Sequence, residues 1–282
     1  MRLFILKREF SAILIAVIIA AANCSAPRHL PANEVKFIVL GNTSPASPFT
    51  GYPEKLDYVL KSINQENPVL VIHTGNIVRG GNEWMGITRE DVCRQYRNFL
   101  DQRKSLRPIL HILAGDGDRY NGTPDLFRHY TGEDLFYSFN YGSIHFILLH
   151  LLNSNDRLSP DQMRWLERDL EAHRYDTAVF IFSHYPLPAS PQSGNRSRDG
   201  GDLHGLFLRY PVTAVISGSM KSLSEYEKDG IRYIAAGCFG YNYEDWHWGF
   251  YQYYVAHYDG AKLTFRGICV SFPGNSYRPK QL

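Results

Sequence analysis

Five short polar segments, each directly after an apolar run, carry the side chains with which this chain could do chemistry. They are Gly41-Asn42-Thr43-Ser44, Gly75-Asn76-Ile77-Val78, Gly115-Asp116-Gly117-Asp118, Ser183-His184-Tyr185-Pro186 and Gly218-Ser219-Met220-Lys221. Carboxylates and imidazoles of this kind serve as metal ligands and as acid–base groups in hydrolytic sites. Because open α/β sheets bind ligands at the carboxyl ends of their strands, we expect the five segments to line one crevice.

The apolar runs that must position these segments have the length of strands buried on both faces. The predicted strands are Val35–Leu40, Val69–His73, Ile109–Leu113, Phe146–Leu149, Ala178–Phe182 and Val212–Ile216. Segments 53–65 and 89–103 read as helices between them. A third helix is well marked, because Ser159 is a good N-cap, Pro160 suits the first helical position and Gln162 the capping-box position.

The C-terminal part of the chain has a different pattern. Segment 225–270 alternates, is rich in Tyr, Phe and Val, and has turn signals at Asp229-Gly230 and Asp259-Gly260. This pattern is typical of antiparallel hairpins. The whole chain therefore predicts an α/β fold, a layered sandwich of mixed β-sheets flanked by helices.

Composition and charge exclude several classes of protein. With 282 residues, 44% of them hydrophobic and 21% charged, the chain is neither disordered nor fibrous. Arg2, Lys7 and Arg8 precede the apolar run 11–22, as in a secretory signal. Without residues 1–23 the chain has 27 basic and 27 acidic residues, because 30 and 28 lose three and one. This balance argues against a nucleic-acid partner.

Cys24 lies where a bacterial lipoprotein signal places its lipidated cysteine. We therefore expect residues 1–23 to be a signal peptide, Cys24 to be the first mature residue, 24–34 to be a linker, 35–272 the domain and 273–282 a tail. Ordinary cleavage nearby and an uncleaved anchor are the alternatives. In each case the domain lies beyond a membrane, and with the lipid or the anchor it is held there, on the periplasmic side or the cell surface. Cys238 and Cys269 either pair or remain free thiols.

The order of these motifs resembles that of the calcineurin-like metallophosphoesterases, especially their purple-acid-phosphatase-like branch. That family has, in order, Asp-x-His or Asp-x-Gly, Gly-Asp, Gly-Asn-His-Asp/Glu, a lone His and Gly-His-x-His. The segment 136–146 resembles its "YSFDYGNVHF" strand pair, 162–170 its "Q..WLE..L" helix and 230–240 its "GI.YI..G.GG" strand. With the five polar segments, the resemblance covers roughly residues 35–270 and implies a metallophosphoesterase-type sandwich.

The resemblance also shows which ligand positions have changed. Here Asn42 stands for the first Asp of the family, Ser44 for a His, Asn76 for the bridging Asp, Asp116 for an Asn, Gly117 for the catalytic His, and Ser219 and Lys221 for the last two histidines, while His184 is retained. In the family's arrangement one metal position would have Asn42, Ser44, Asn76 and Lys221, and the other Asn76, Asp116, His184 and Ser219. Amides replace carboxylates, and a lysine ammonium opposes a neighbouring cation.

These substitutions predict a pseudoenzyme with a binding or scaffold role. No cofactor is expected beyond one weakly bound divalent metal on Asp116 and His184. The partner would be a protein or a small anionic ligand in the crevice, and the membrane would be reached through the N-terminal lipid or anchor. The alternatives are a weakly active phosphoesterase that uses a single metal, and a surface structural lipoprotein.

Three further features of the sequence have two interpretations each. Lys221 either pairs with Asp116 in the space of the lost metals or is solvated. The aromatic segment 241–254 is either a stacking platform for a sugar or partner or a hairpin that packs on the sheet. His184, without its partners, is either a remaining ligand or a hydrogen-bonded structural histidine. Segment 186–201 reads as a mobile loop over the crevice, and Asp118 as a residue that shapes the Asp116 loop.

Overall fold

Two mixed β-sheets form the centre of the molecule. The computed structural model describes residues 33–51, 55–151, 157–187, 200–220, 223–237 and 251–270. The first sheet has five strands, in the spatial order β11-β10-β1-β2-β3. Its strands are β1 (Val35–Leu40), β2 (Leu70–His73), β3 (Ile109–Ile112), β10 (Tyr251–Tyr258) and β11 (Leu263–Val270). Strands β1, β2 and β3 are parallel, and β10 pairs antiparallel with β1 and with β11.

The second sheet has six strands, in the order β4-β5-β6-β7-β9-β8. They are β4 (Tyr137–Tyr141), β5 (Ile144–Leu149), β6 (Ala178–Ser183), β7 (Val212–Met220), β8 (Ser224–Lys228) and β9 (Ile231–Gly237). Strands β5, β6, β7 and β9 are parallel, while the edge strands β4 and β8 are antiparallel to their neighbours. The hairpins predicted at Asp229-Gly230 and Asp259-Gly260 are therefore confirmed, one in each sheet.

Aromatic side chains join the two sheets face to face. Phe37 of β1 lies 5.5 Å from Phe146 of β5 and 5.4 Å from Phe180 of β6, measured between ring centroids. All three are fully buried in one core with small and branched residues of both sheets. Such edge-to-face and tilted pairs each contribute about 0.5–1.5 kcal/mol beyond the burial of their area. This core fixes the relative position of the strand ends.

Helices cover the outer faces of both sheets. Helix α1 (Lys55–Glu66) packs on the first sheet, with α2 (Arg89–Gln102) and α3 (Asp125–Thr131) in a neighbouring core. Helices α4 (Pro160–Ala172) and α5 (Gly200–Phe207) pack on the second sheet. The layers therefore run helix, sheet, sheet, helix, and the predicted fold class is confirmed.

Two local predictions were inexact. Ser159 caps α4 as expected, because its side chain accepts the Gln162 N–H, but the Gln162 side chain does not complete a capping box. It instead bonds the N–H and C=O of His150 at the end of β5. The loop predicted over 186–201 ends earlier than expected, since Gly200 already lies in α5.

Several predicted features lie outside the described residues. These are the signal and Cys24, Lys221, Cys238, most of the aromatic segment and most of the 186–201 loop. The described cysteines, Cys93 and Cys269, are free thiols. At the end of the aromatic segment, Tyr253 and Tyr254 are buried, as the packing interpretation expects. Among the helices that the structure describes, none has the length and apolar character to cross a membrane.

Candidate functional site

A crevice between the two sheets collects the strand exits. His184, after β6 of the second sheet, donates from Nδ1 to the backbone oxygen of Thr74, after β2 of the first sheet, at 2.7 Å. Asn42, after β1, donates from Nδ2 to the backbone oxygen of Gly218 in β7, at 3.0 Å. Two buried hydrogen bonds thus connect the carboxyl ends of the two sheets, and the polar segments converge as the sequence predicts.

Asn42 and Asn76 have left-handed backbone conformations, with φ of 55° and 60°. Asparagine adopts this conformation more readily than most residues with a side chain. The backbone also fixes how their side-chain amides point. The Gly117 N–H donates to Asn76 Oδ1 at 2.7 Å, and the Gly218 carbonyl accepts from Asn42 Nδ2. An N–H cannot accept and a carbonyl cannot donate, so neither amide can turn over without losing its bond.

This locked orientation places the Asn76 amino group at the centre of the crevice. Asn76 Nδ2 lies 3.0 Å from Asn42 Oδ1, 3.0 Å from Asp116 Oδ1 and 3.3 Å from His184 Nε2. Its two hydrogens are donated to the oxygens of Asn42 and Asp116, and His184 Nε2 lies beside them. The amide that stands for the family's bridging carboxylate presents a donor at the point where a metal ion needs oxygen lone pairs.

Among the residues that the structure describes, Asp116 is the one carboxylate that faces this centre. Its Oδ1 lies 3.1 Å from His184 Nε2. The hydrogen bond and charge of His184, with further bonds from Asn76 and Tyr185, hold the pKa of Asp116 well below its usual range. Burial and the Asp116 charge raise the pKa of Tyr185, whose hydroxyl also bonds Ser219. Asp116 is therefore ionised and already surrounded by donors.

Asp118 holds the loops rather than a ligand. Its Oδ2 accepts the N–H groups of Asn76 and Gly115 at 2.7 and 2.8 Å, and its Oδ1 accepts that of Val78 at 3.0 Å. The side chain is fully buried. Burial raises the pKa of Asp118 to about 6, while the three backbone hydrogen bonds oppose this shift. The scaffold role predicted for Asp118 agrees with these contacts.

The remaining predicted ligand positions include Ser44 and Ser219, which are held in place by hydrogen bonds of their backbone N–H groups. The Ser44 N–H donates to the Asn76 carbonyl at 3.0 Å, and the Ser219 N–H donates to the His184 carbonyl at 2.8 Å. A Cβ added at Gly117, the catalytic-histidine position, would lie 2.9 Å from both Asn76 Oδ1 and the Val78 oxygen. The structure thus brings Asn42, Asn76, Asp116, Gly117 and His184 together, with Ser44 and Ser219 beside them. Lys221, the expected partner of Asp116, is outside the described residues.

The sequence over residues 47–218 matches the family model of the calcineurin-like phosphoesterases. The chain belongs to this family. The match begins after Asn42 and Ser44 and ends before Ser219, so the first and last ligand motifs of the family lie outside it. A comparison with curated proteins gives no significant match.

Solved structures with the same fold include enzymes and a protein described as an anchor. A zebrafish (Danio rerio) dimetal phosphatase aligns with a TM-score of 0.65 and 13% identity, over 84% of this chain and 98% of that one. A purple acid phosphatase from yellow lupin (Lupinus luteus) aligns with a TM-score of 0.61 and 14% identity, over 84% of this chain and 52% of that one. GAP50, described as the anchor in the inner membrane complex of Plasmodium, aligns with a TM-score of 0.57 and 13% identity, over 88% of each chain. At these identities the likeness shows the fold.

The crevice residues do not fit the dinuclear metal centre that family membership implies. Such centres hold two ions about 3.5–4 Å apart between shared oxygen ligands. Across the described residues, the crevice has no group of three or more His, Cys, Asp or Glu side chains close enough to share an ion. Asp118 is committed to backbone N–H groups, which leaves Asp116 and His184. The central position between them holds the Asn76 amino group.

Sequence reasoning missed two features near the crevice and one feature away from it. Tyr185 contacts Asp116 directly, although its position after His184 gave no signal. The buried ring of His150 has no hydrogen bond that the structure describes at either nitrogen, and burial lowers its pKa to about 4. Away from the crevice, His145, Asp169 and His173 bring three possible ligand atoms within 4.8 Å of one another. The spacing of Asp169 and His173, four residues apart at the C-terminal end of α4 and its cap, was a signal that could have been used.

Proposed function

We propose that this chain is an exported member of the calcineurin-like phosphoesterase family that has lost dinuclear hydrolysis and serves as a binding or scaffold protein. The observation that carries the proposal is the orientation of the Asn76 amide. The Gly117 N–H holds its oxygen away from the centre of the crevice, so its amino group faces Asp116 and His184. A dinuclear centre needs a shared anionic oxygen at that place.

The electrostatics of the crevice support the same proposal. Two adjacent dications repel each other, and this repulsion is offset in the family by carboxylates. Here the described crevice offers one exposed carboxylate, Asp116, and its oxygen already accepts from Asn76 and lies against His184. Changing a group that merely supports a ligand lowers metal affinity about 10–100-fold, and here the ligands themselves are replaced. Lys221, by sequence the last residue of the site, adds positive charge.

The partner we propose is a protein or a small anion that uses the shape of the crevice. The crevice N–H groups named above already have acceptors within the protein, so the positive charge for an anion would come from Lys221 of the last family motif. The Plasmodium protein of the same fold, described as an anchor, is a precedent for a scaffold role on this architecture. Export and attachment through Cys24 rest on the N-terminal sequence pattern alone.

A second candidate is a phosphoesterase that uses one weakly held metal. The observation in its favour is that Asp116 Oδ1 lies 3.1 Å from His184 Nε2 and that the Asp116 side chain is 42% exposed. One carboxylate and one imidazole could hold a single divalent ion with water at the other positions. If this candidate is right, hydrolysis requires Asp116, whereas a scaffold protein has no hydrolytic activity that a change of Asp116 could remove.

Hydrolysis assays on the full-length chain separate the two candidates. The substrates are p-nitrophenyl phosphate and bis-p-nitrophenyl phosphate, each with added manganese or zinc. The proposal predicts background rates for the wild type, for Asp116→Ala and for the exposed control Asp134→Ala. Hydrolysis by the wild type and by Asp134→Ala that disappears in Asp116→Ala would favour the one-metal phosphoesterase instead.

A further inference from the structure

A cluster of two histidines and an aspartate lies at the far end of the second sheet from the crevice. His145 is the second residue of β5, and Asp169 and His173 lie at the end of α4. His145 pairs with Val179 of β6, five residues before His184. Five strand residues span roughly 16 Å. The cluster is therefore separate from the crevice, and the proposed function does not use it.

Supporting residues hold the Nδ1 atom of both histidines in the cluster. Asn140 donates from Nδ2 to Asp176 Oδ2 at 3.2 Å, so its Oδ1 faces His145 Nδ1, which donates to it at 2.6 Å. His173 Nδ1 donates to Asp176 Oδ2 at 2.9 Å. With both Nδ1 atoms engaged in this way, each ring has its Nε2 for another partner. Metal-binding histidines almost always have their other nitrogen held by a carboxylate or an amide oxygen.

The aspartate is held in the same manner. Ser138 donates its hydroxyl to Asp169 Oδ1 at 2.8 Å. The other oxygen, Oδ2, lies 2.8 Å from His145 Nε2. His145 and Asp169 thus each have one atom tied to a supporting residue and one atom facing the other, and His173 brings a third possible ligand atom within 4.8 Å of them.

We propose that His145 Nε2, Asp169 Oδ2 and His173 Nε2 form a binding site for a divalent transition-metal ion of the zinc type. Imidazole and carboxylate groups suit Zn²⁺, and three protein ligands with water at the fourth position make an open tetrahedral site. The ion replaces the proton that His145 and Asp169 share, and that proton passes to solvent.

Binding requires one movement. The rings of His145 and His173 stack with centroids 3.6 Å apart and planes 12° apart, and the in-plane lone pairs of parallel rings do not converge. The ligand atoms of a tetrahedral zinc site lie roughly 3.3 Å apart. His145 is buried, whereas the His173 side chain is 27% exposed and follows the last residue of α4 with non-helical φ and ψ of −108° and 21°. His173 therefore tilts out of the stack while His145 and Asp169 stay in place.

The test is titration of the full-length chain with Zn²⁺ by calorimetry and with Co²⁺ by visible absorption, which reports coordination directly. The variant is His173→Gln, because a change at the partly exposed end of α4 leaves the core intact. The inference predicts one equivalent of metal in the wild type and at least tenfold weaker binding in His173→Gln. The matched control, His129→Gln at an exposed position of α3, keeps wild-type affinity.

The other outcomes separate this site from the crevice. Metal that is retained in His173→Gln but lost in Asp116→Ala would overturn both this inference and the proposed function, because it would place the ion in the crevice. Absence of micromolar binding in the wild type would overturn this inference alone, since the proposed function expects an empty crevice. Unchanged affinity in both variants would also overturn it.

Discussion

Asn76 Nδ2 donates to Oδ1 of Asp116 at 3.0 Å, so an amide donor stands where the family has its metal-bridging carboxylate. The amide and the carboxylate attract each other directly and need no cation between them. The crevice of this family member is thus closed by its own hydrogen bonds. Both the residue types and the fixed orientation of the Asn76 amide thus disfavour a metal ion at this place.

The first prediction is that metal binding can be restored. The variant Asn42→Asp/Asn76→Asp/Ser219→His/Lys221→His returns the anionic oxygens and imidazoles that the family uses. Made in the His173→Gln background, which weakens the separate histidine cluster, it should bind manganese or zinc at least 100-fold more tightly than His173→Gln alone in calorimetry. The reason is that direct ligands contribute more to metal affinity than supporting residues, whose change costs about 10–100-fold. Adding Asn98→Asp to the wild type instead, at an exposed position of α2, should add no site. A restored variant that folds but binds no metal would show that the ligand alignment is wrong.

The second prediction concerns Gly117. Restoring the family's histidine by Gly117→His should destabilise the protein by about 1–3 kcal/mol, because a Cβ there lies 2.9 Å from Asn76 Oδ1 and the Val78 carbonyl. Gly205→Ala in α5 meets no atom within 4 Å and should be neutral or stabilising by up to about 1 kcal/mol. Urea unfolding measures both. A Gly117→His protein as stable as the wild type would contradict this prediction, because the loop of Asn76 would then accommodate the side chain at no cost in stability.

Much of the fold could be predicted because buried strands have a strong sequence pattern. The run Val35–Leu40 is apolar on both faces, since Phe37 faces the second sheet and Ile38 faces α1. The start of α4 could also be predicted, because the N-cap Ser159 and the proline at position 160 are local sequence signals for a helix N-terminus. Strand β4 was expected only from the resemblance of 136–146 to the family's strand pair, because Tyr137–Tyr141 is partly buried and mixes polar with aromatic residues.

The site was predictable in residue type but not in orientation. That Asn42 and Asn76 replace carboxylates can be read from the order of the motifs. The direction of the Asn76 amide depends on the Gly117 N–H, 41 residues away, and no sequence pattern reports this contact. The same applies to His145 and His173, which are separated in sequence and meet by ring stacking.

The third prediction is that Asp118 stabilises the crevice loops. Asp118→Ala leaves the N–H groups of Asn76, Val78 and Gly115 without their acceptor in a buried place. Each unsatisfied buried donor costs about 1–3 kcal/mol, and relaxation of the loops reduces the sum, so we expect a loss of about 2–4 kcal/mol in the free energy of unfolding. Asp134→Ala, an exposed change, should alter it by less than about 0.5 kcal/mol. Equal stability of the two variants would contradict the scaffold role.

The fourth prediction is a pH dependence of stability from His73. Burial, and secondarily the charge of His184, lower the pKa of His73 to about 3 from 6.5. The folded protein therefore keeps His73 neutral, while the unfolded chain takes up a proton near 6.5. The stability that a neutral His73 contributes is complete above pH 6.5 and is lost as the pH falls toward 3, by about 1.4 kcal/mol per pH unit.

Chemical unfolding at pH 7 and pH 5 measures this effect. Between pH 7 and pH 5, the free energy of unfolding of His73→Gln should fall by about 2 kcal/mol less than that of the wild type. The reason is that the variant lacks the His73 contribution over the roughly 1.5 pH units below pH 6.5. Ile72→Val on the same strand, which lowers stability without removing a titrating group, should keep the wild-type difference. An unchanged difference in His73→Gln would mean that His73 is protonated in the folded protein.

The metal content of the crevice tests the central claim most directly. The full-length His173→Gln protein, in which the separate histidine cluster is weakened, is incubated with manganese, zinc, iron or calcium, dialysed, and analysed for metal per chain by mass spectrometry. The account predicts essentially no retained metal, and the same value after Asp116→Ala is added. One or two equivalents in His173→Gln that disappear with Asp116→Ala would contradict it, because the crevice would then hold the ions for which its residues do not fit.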